Sequence, residues 1–198
     1  SDEASSHTLN KQPKEVRMKK PVPVSSANRL INHGPVILVT SQYKDAGNIV
    51  TLAWNTPVSH SPMLVAIAVA NKHYSTELIT KSGEFVINVP NVDLLKQVQY
   101  CGSVSGREED KWKKSGLTAE PAQKVKPPLI RECIAHLECK VVKTTPSGDH
   151  SLFIGQVLAA SAEEGLFDEI LNTDNPRAKT LHHLGGDFYT VPGKKIQP

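Results

Sequence analysis

Residues 48–90 read NIVTLAWNTPVSHSPMLVAIAVANKHYSTELITKSGEFVINVP. Two apolar, strand-like stretches enclose Trp54-Asn55-Thr56-Pro57. The second, residues 63–70, is apolar on both sides, which predicts a buried strand. It runs into Asn71-Lys72-His73-Tyr74-Ser75-Thr76, where a strand hands over to a short helix. The helix is predicted over 75–82, with Glu77 in its first turn and Gly83 as its stop. Residues 85–89 return as a strand ended by Pro90. A strand-to-helix junction is a natural anion site, because free backbone N–H groups and the helix dipole point at whatever lies in front. A planar aromatic ligand carrying a phosphate suits the pair of segments.

Outward from this block the pattern stays β-rich. Residues 35–43 are a strand, Lys44-Asp45-Ala46-Gly47-Asn48 a turn, and residues 49–55 the returning strand of a hairpin. A helix is predicted over 92–100, with Val92, Leu95 and Val98 on one face. Residues 102–106 form a small-residue loop, and 108–114 a short charged helix with Asp110 and Lys114 at i,i+4 spacing. A Pro- and Lys-rich connection fills 119–128. Two long strands, 134–144 and 151–161, flank the turn Pro146-Ser147-Gly148-Asp149. Residues 163–182 read as mixed helix and loop. The polar residues 1–20 read as a flexible arm or a non-native remnant, leaving 21–198 as the folded domain. Many strands, few short helices and no βαβ rhythm make this a mainly β (α+β) chain: an antiparallel barrel with short peripheral helices.

Composition narrows the function. The chain has 198 residues, a hydrophobic fraction of 38%, a charged fraction of 22% and a net charge of +3. That suits one globular domain, with no concentrated basic face for nucleic acid and no apolar run long enough to cross a membrane as a helix. Cys101, Cys133 and Cys139 are odd in number, so at least one thiol lacks an intrachain partner. On one strand, Cys133 and Cys139 would lie about 20 Å apart, beyond the roughly 7 Å a disulfide spans. Free thiols and no secretory signal point to the cytoplasm. The histidines lack metal-ligand spacing, so no metal site is expected. No dinucleotide-binding G-x-G-x-x-G, P-loop or G-x-S-x-G elbow is present.

The ordered motifs resemble one family. They are Asn48 to Trp54, Ser59-x-x-Pro62, Asn71-x-His73-Tyr74-Ser75 to Ile79, and Phe85 to Pro90. Downstream come Cys101-Gly102-x-x-Ser105-Gly106-Arg107, Asp110-Lys111, Pro127 to Ile130, Leu137-Glu138-Cys139, Gly148-Asp149-His150 with Leu152 to Val157, and Leu184 to Tyr189. No single piece is diagnostic, but the set resembles the flavin reductase-like, FMN-binding split-barrel family, flavoredoxin branch, over roughly residues 20–192. The resemblance implies a Greek-key split barrel and a homodimer with FMN near the subunit interface. It implies NADH or NADPH as donor, and free flavin, a ferric complex or a redox protein as acceptor. An electron-transfer flavoprotein of flavoredoxin type and a binding module without turnover remain alternatives. Pyridoxamine-phosphate oxidase chemistry, found on related barrels, is disfavoured by the flavoredoxin-like motifs.

Site residues follow from the same match. Asn71, Lys72, His73, Ser75 and Thr76 are expected at the FMN phosphate, where hydroxyls, N–H groups and positive charge converge; plain capping by Ser75 is the simpler reading of the spacing. Thr51, Leu52, Ala53, Trp54 and Asn55 are expected along the flavin ring, with Ser59 in the turn closing the pocket. The loop with Cys101, Gly102, Ser105 and Arg107 is expected to lie along the flavin, with Arg107 and Lys111 reaching phosphate or ribityl oxygens. His150, expected where the nicotinamide stacks, is the catalytic candidate.

Overall fold

The computed structural model describes residues 18–198. The arm expected over 1–20 lies almost wholly outside them. A 3-10 segment, Val24–Leu30, leads into four strands: β1 (Ile37–Tyr43), β2 (Ala46–Leu52), β3 (Asn55–His60) and β4 (Met63–Ala70). Helix α1 (Tyr74–Ser82) and strand β5 (Glu84–Val89) follow. A 3-10 turn at Val92–Leu94 opens α2 (Leu95–Ser103), and α3 is Lys111–Ser115. The short strands β6 (Ala119–Glu120) and β7 (Leu129–Ile130) pair before the long hairpin of β8 (Ala135–Ser147) and β9 (His150–Ala162). Two small hairpins close the chain: β10 (Phe167–Asp168) with β11 (Ile170–Leu171), and β12 (His182–Gly185) with β13 (Phe188–Thr190).

Seven strands form one antiparallel sheet in the order β2-β1-β5-β8-β9-β4-β3. Alternation explains how it curls. Ile37 and Val39 of β1, Val50 and Leu52 of β2, Ile67 and Val69 of β4, and Phe85 and Ile87 of β5 meet in one interior cluster with Phe153 of β9 and Ile79 of α1. The intervening residues Leu38 and Ile49 face the other way, into a second cluster with Val98 and Cys101 of α2 and with Ile130. β1 is therefore buried on both sides, and helix α2 covers the outside of the β1–β2 hairpin. Phe85 and Phe153 have no exposed surface; burying each contributes about 1.5–3 kcal/mol. Gly155 of β9 makes room for Phe85, because a Cβ there would lie 2.6 Å from Phe85 Cζ.

The mainly β, antiparallel split-barrel expectation holds, with several local differences. The returning strand expected to reach residue 55 breaks at Leu52, and Asn55 opens β3. Helix α1 starts one residue early, at Tyr74, with His73 as N-cap and no side-chain capping bond; Ser75 does not cap it. The charged helix contracts to Lys111–Ser115 because Asp110 serves as its cap, accepting from the Lys113 N–H at 3.2 Å. The Asp110–Lys114 pair accordingly does not form; Lys114 lies 3.9 Å from Glu109 instead. The segment read as helix and loop over 163–182 holds the β10–β11 hairpin and a single 3-10 turn at Pro176–Ala178. Cys133 precedes β8 and does not share its strand with Cys139; all three cysteines are free and buried. Among the described residues, no helix is long and apolar enough to cross a membrane, and no His, Cys, Asp and Glu group is placed to hold a metal ion.

Candidate functional site

A cleft of about 500 Å³ opens where β2 and β4 leave the sheet. Its wall is the strand end Thr51, Leu52, Ala53 and Trp54. Thr51 Oγ1 donates to Val98 O at 2.6 Å, which ties this wall to α2. Gly102 on the last turn of α2 completes it; a Cβ there would stand 3.2 Å from Thr51 Cβ, so only a residue without a side chain fits comfortably. Ala68 and Ala70 of β4 keep the floor shallow, and Ala68 N–H donates to Trp54 O at 3.0 Å.

His150, the first residue of β9, enters the same cleft. Its ring stacks on Trp54, with centroids 4.7 Å apart and planes 27° off parallel. His150 Nδ1 donates to Asp149 Oδ1 at 2.6 Å, and this bond holds the Asp149 carboxyl below its usual range. Asn71 secures that hairpin end: its N–H donates to Asp149 O at 2.9 Å and its Oδ1 accepts from Ser151 Oγ at 2.8 Å. His73 also lines the cleft. Burial lowers its pKa, and the nearby charges of Lys111, Lys72 and His150 push it further down.

Several expected contacts lie elsewhere. Ser75 is fully buried and accepts from Asn48 Nδ2 at 2.9 Å; Thr76 Oγ1 donates to Ala70 O at 2.8 Å. Both hydroxyls hold the start of α1 onto the sheet instead of facing the cleft, because the first turn of α1 packs against β1, β2 and β4. Lys111 is also buried: its Nζ donates to Ile49 O at 2.8 Å and Cys101 O at 2.6 Å. It clamps β2 to the C-terminal end of α2, where the helix dipole favours a cation. Among the described residues no carboxylate pairs with it, and burial lowers its pKa. Cys101 sits in the core under α2. Ser105 Oγ accepts from Arg107 N–H at 3.2 Å. Arg107 turns outward, 2.8 Å from Glu77 and over the Tyr74 ring, beside a second open groove with Gln42 and Trp112. Asn55 Nδ2 donates to Pro35 O at 2.9 Å, and Ser59 lies within edge strand β3 and not in the turn, which falls at Ser61-Pro62. Lys72 is exposed in the turn before His73.

Two parts of the cleft carried little sequence signal. Asn28, Arg29 and Asn32 come from the N-terminal 3-10 segment and the turn after it, and His183, Gly186, Asp187 and Tyr189 from the β12–β13 hairpin. With the Asn32 amide oriented to satisfy both neighbours, its oxygen accepts from Trp54 Nε1 at 3.1 Å. A 3-10 segment has no long apolar period to reveal it. In the sequence, Leu184 to Tyr189 carry only a motif match, with no hairpin expected there and no place at the cleft.

A model of the flavin reductase like domain matches residues 30–189. The chain belongs to this family. An uncharacterized protein of Archaeoglobus fulgidus is 46% identical over 153 residues, which cover 76% of this chain and 85% of that protein. Among flavin reductase-like structures, flavoredoxin from Methanosarcina acetivorans matches with a TM-score of 0.75 and 29% identity, over 83% of this chain and 87% of that one. The FMN-binding domain of a flavin reductases-like enzyme from Shewanella baltica matches at 0.76 and 27%, over 89% and 95%. The split-barrel fold and the flavin reductase-like identity thus stand on both sequence and structure.

Proposed function

We propose that this chain holds FMN in the cleft and acts as a flavin reductase-like oxidoreductase. In this reading it takes hydride from NADH or NADPH and passes electrons to free flavin, a ferric complex or a partner protein. The observation that carries the reading is the cleft wall Thr51–Trp54 in a chain of this family. The residues present fit FMN. The cleft has the size of a small-molecule site. Thr51, Ala53 and Gly102 leave backbone N–H groups approachable, Trp54 offers apolar surface, and His73 and Lys72 supply donors for a phosphate. Bound FMN supplies the redox step, accepting a hydride and later releasing its electrons. The chain's own residues bind, orient and shield: Trp54 and His150 present a stacked aromatic face at the mouth, and Asp149 fixes the His150 ring by accepting from Nδ1.

A homodimer is supported by exposed apolar side chains on β3, β8 and β9. Val58, Val142 and Leu158 each sit where the strand register slips by one residue, and each is exposed; Met63 of β4, opposite the end of β3, is 43% exposed. Bulges that aim apolar groups outward suit a face that another subunit covers. The unpaired thiols support a reducing, cytoplasmic setting. The likeness to a flavoredoxin supports a second reading, an electron-transfer flavoprotein reduced by another protein. An anaerobic visible spectrum with FMN separates the two. Bleaching by NADH or NADPH is the expected result; FMN that binds but is reduced by neither donor would leave the electron-transfer reading, and no binding at all would overturn both.

A further inference from the structure

Basic side chains stand at two separate places around the cleft. One is the α1 end, where His73 lines the cleft, the exposed Lys72 precedes it and Lys111 lies buried nearby. The other is Arg29, on the 3-10 segment Val24–Leu30, which lines the cleft from the side of the β12–β13 hairpin. Among the described residues it has no carboxylate partner; Asp187, the one carboxylate lining the cleft, accepts instead from Gln99 Nε2 at 3.0 Å.

The guanidinium packs on a glycine. A Cβ on Gly185 would stand 3.3 Å from Arg29 Cζ, Nε and Nη1 alike, so the guanidinium group lies across the Gly185 backbone. Gly185 has φ of +127°, a conformation that side-chain-bearing residues rarely adopt. The neighbouring cleft residues on the same side, Asn28 and Asn32, are neutral, and Asn32 is tied to Trp54. The result is a fork of N–H donors at the edge of the cleft that, among the described residues, no carboxylate engages. A guanidinium fork matches a phosphate.

We propose that Arg29 binds a phosphate of the dinucleotide donor, while the flavin phosphate takes the Lys72–His73 end. The proposal rests on the reading of the cleft as an FMN site reduced by NADH or NADPH. Arg29 is then a residue for donor recognition, and a donor without phosphate would gain nothing from it. Two phosphates share this chemistry, that of the donor and that of FMN, and the test distinguishes them.

The test compares parent, Arg29→Gln and Arg29→Lys with FMN bound, in anaerobic stopped-flow reduction by NADH, by NADPH and by 1-benzyl-1,4-dihydronicotinamide, which carries no phosphate. Fluorescence titration with FMN and riboflavin runs alongside. Arg29→Gln should reduce the second-order rate constant with the preferred dinucleotide about tenfold, the effect of one charge-assisted hydrogen bond, with Arg29→Lys in between. Reduction by the benzyl compound and affinity for FMN should stay within about twofold of the parent, given a contact that only the donor makes. Equal dinucleotide rates in parent and Arg29→Gln would overturn the proposal alone. A variant that loses FMN affinity but not riboflavin affinity would overturn it by giving Arg29 to the flavin phosphate. A parent reduced by the benzyl compound but by neither dinucleotide would overturn the donor reading and this proposal together.

Discussion

Two stretches with equally good motif matches meet opposite fates. Thr51–Trp54, at the end of β2, lines the cleft. Of the segment from Cys101 to Lys111, only Gly102 and Ser103 do, and of the residues expected there only Gly102. Cys101 packs into the core, Arg107 faces Glu77, and Lys111 spends its ammonium on two backbone carbonyls. The difference lies in how each stretch is anchored. A strand that leaves its sheet has backbone groups and alternate side chains open to a ligand. A loop between two helices that pack on the sheet must first satisfy their ends, and its charged side chain is the means of doing so.

The largest effect that would sharpen this contrast is at Lys111. Lys111→Met leaves the carbonyls of Ile49 and Cys101 buried without a donor, each worth about 1–3 kcal/mol. Urea unfolding of the FMN-free protein should show a loss of about 2–5 kcal/mol. Undiminished stability with collapsed FMN affinity would make Lys111 a cofactor ligand and erase the contrast. Ser75→Ala should come next, at about 1–3 kcal/mol, because Asn48 Nδ2 loses its buried acceptor. The ratio of FMN to riboflavin affinity should not change; a fall in that ratio would put the Ser75 hydroxyl on the phosphate after all.

His73 gives a smaller, pH-dependent effect. Burial and the charges of Lys111, Lys72 and His150 hold its folded pKa below 6.5. The folded state therefore binds fewer protons than the unfolded one just below that value, and stability declines as pH falls from 6.5 through the lowered pKa. Urea midpoints of the parent should fall over this window, and His73→Asn should lack that component. A parallel decline in the variant would assign the titration to another group. The smallest effect is expected at Arg107: its partner Glu77 is exposed, so Arg107→Ala should leave both the urea midpoint and FMN affinity unchanged within error.

Six of the seven strands of the main sheet were legible because alternation and turn residues both speak for them; β3 and the short hairpins were not. The hairpin of β8 and β9 shows this: β-branched and apolar residues flank Gly148-Asp149, and the turn formed there. The doubly buried β1 opens on the apolar run Ile37-Leu38-Val39, whereas β4 is apolar throughout although Ala68 and Ala70 line the cleft. At the site, Trp54, His73 and His150 were legible as the polar or aromatic residues at strand ends. The direction of Ser75 was not. A hydroxyl at a helix start can face a ligand, cap the helix or sit in the core, and only the packing of α1 over β1 and β2 decides among them. The place of Arg29 at the cleft was illegible for a similar reason: a 3-10 segment has no period long enough to show which side faces it.

The three cysteines lead to one further consequence. Burial pushes the thiol of Cys101 up to about 11 and that of Cys139 up to about 12, and raises that of Cys133 as well. A protonated, enclosed sulfur is a poor nucleophile. Alkylating reagents therefore modify these thiols only when the structure opens around them. Cys101 reports the seam between α2 and β2, and Cys139 the barrel interior. Timed labelling of the unaltered chain, read separately at the two sites by mass, becomes a stopwatch for each half of the molecule.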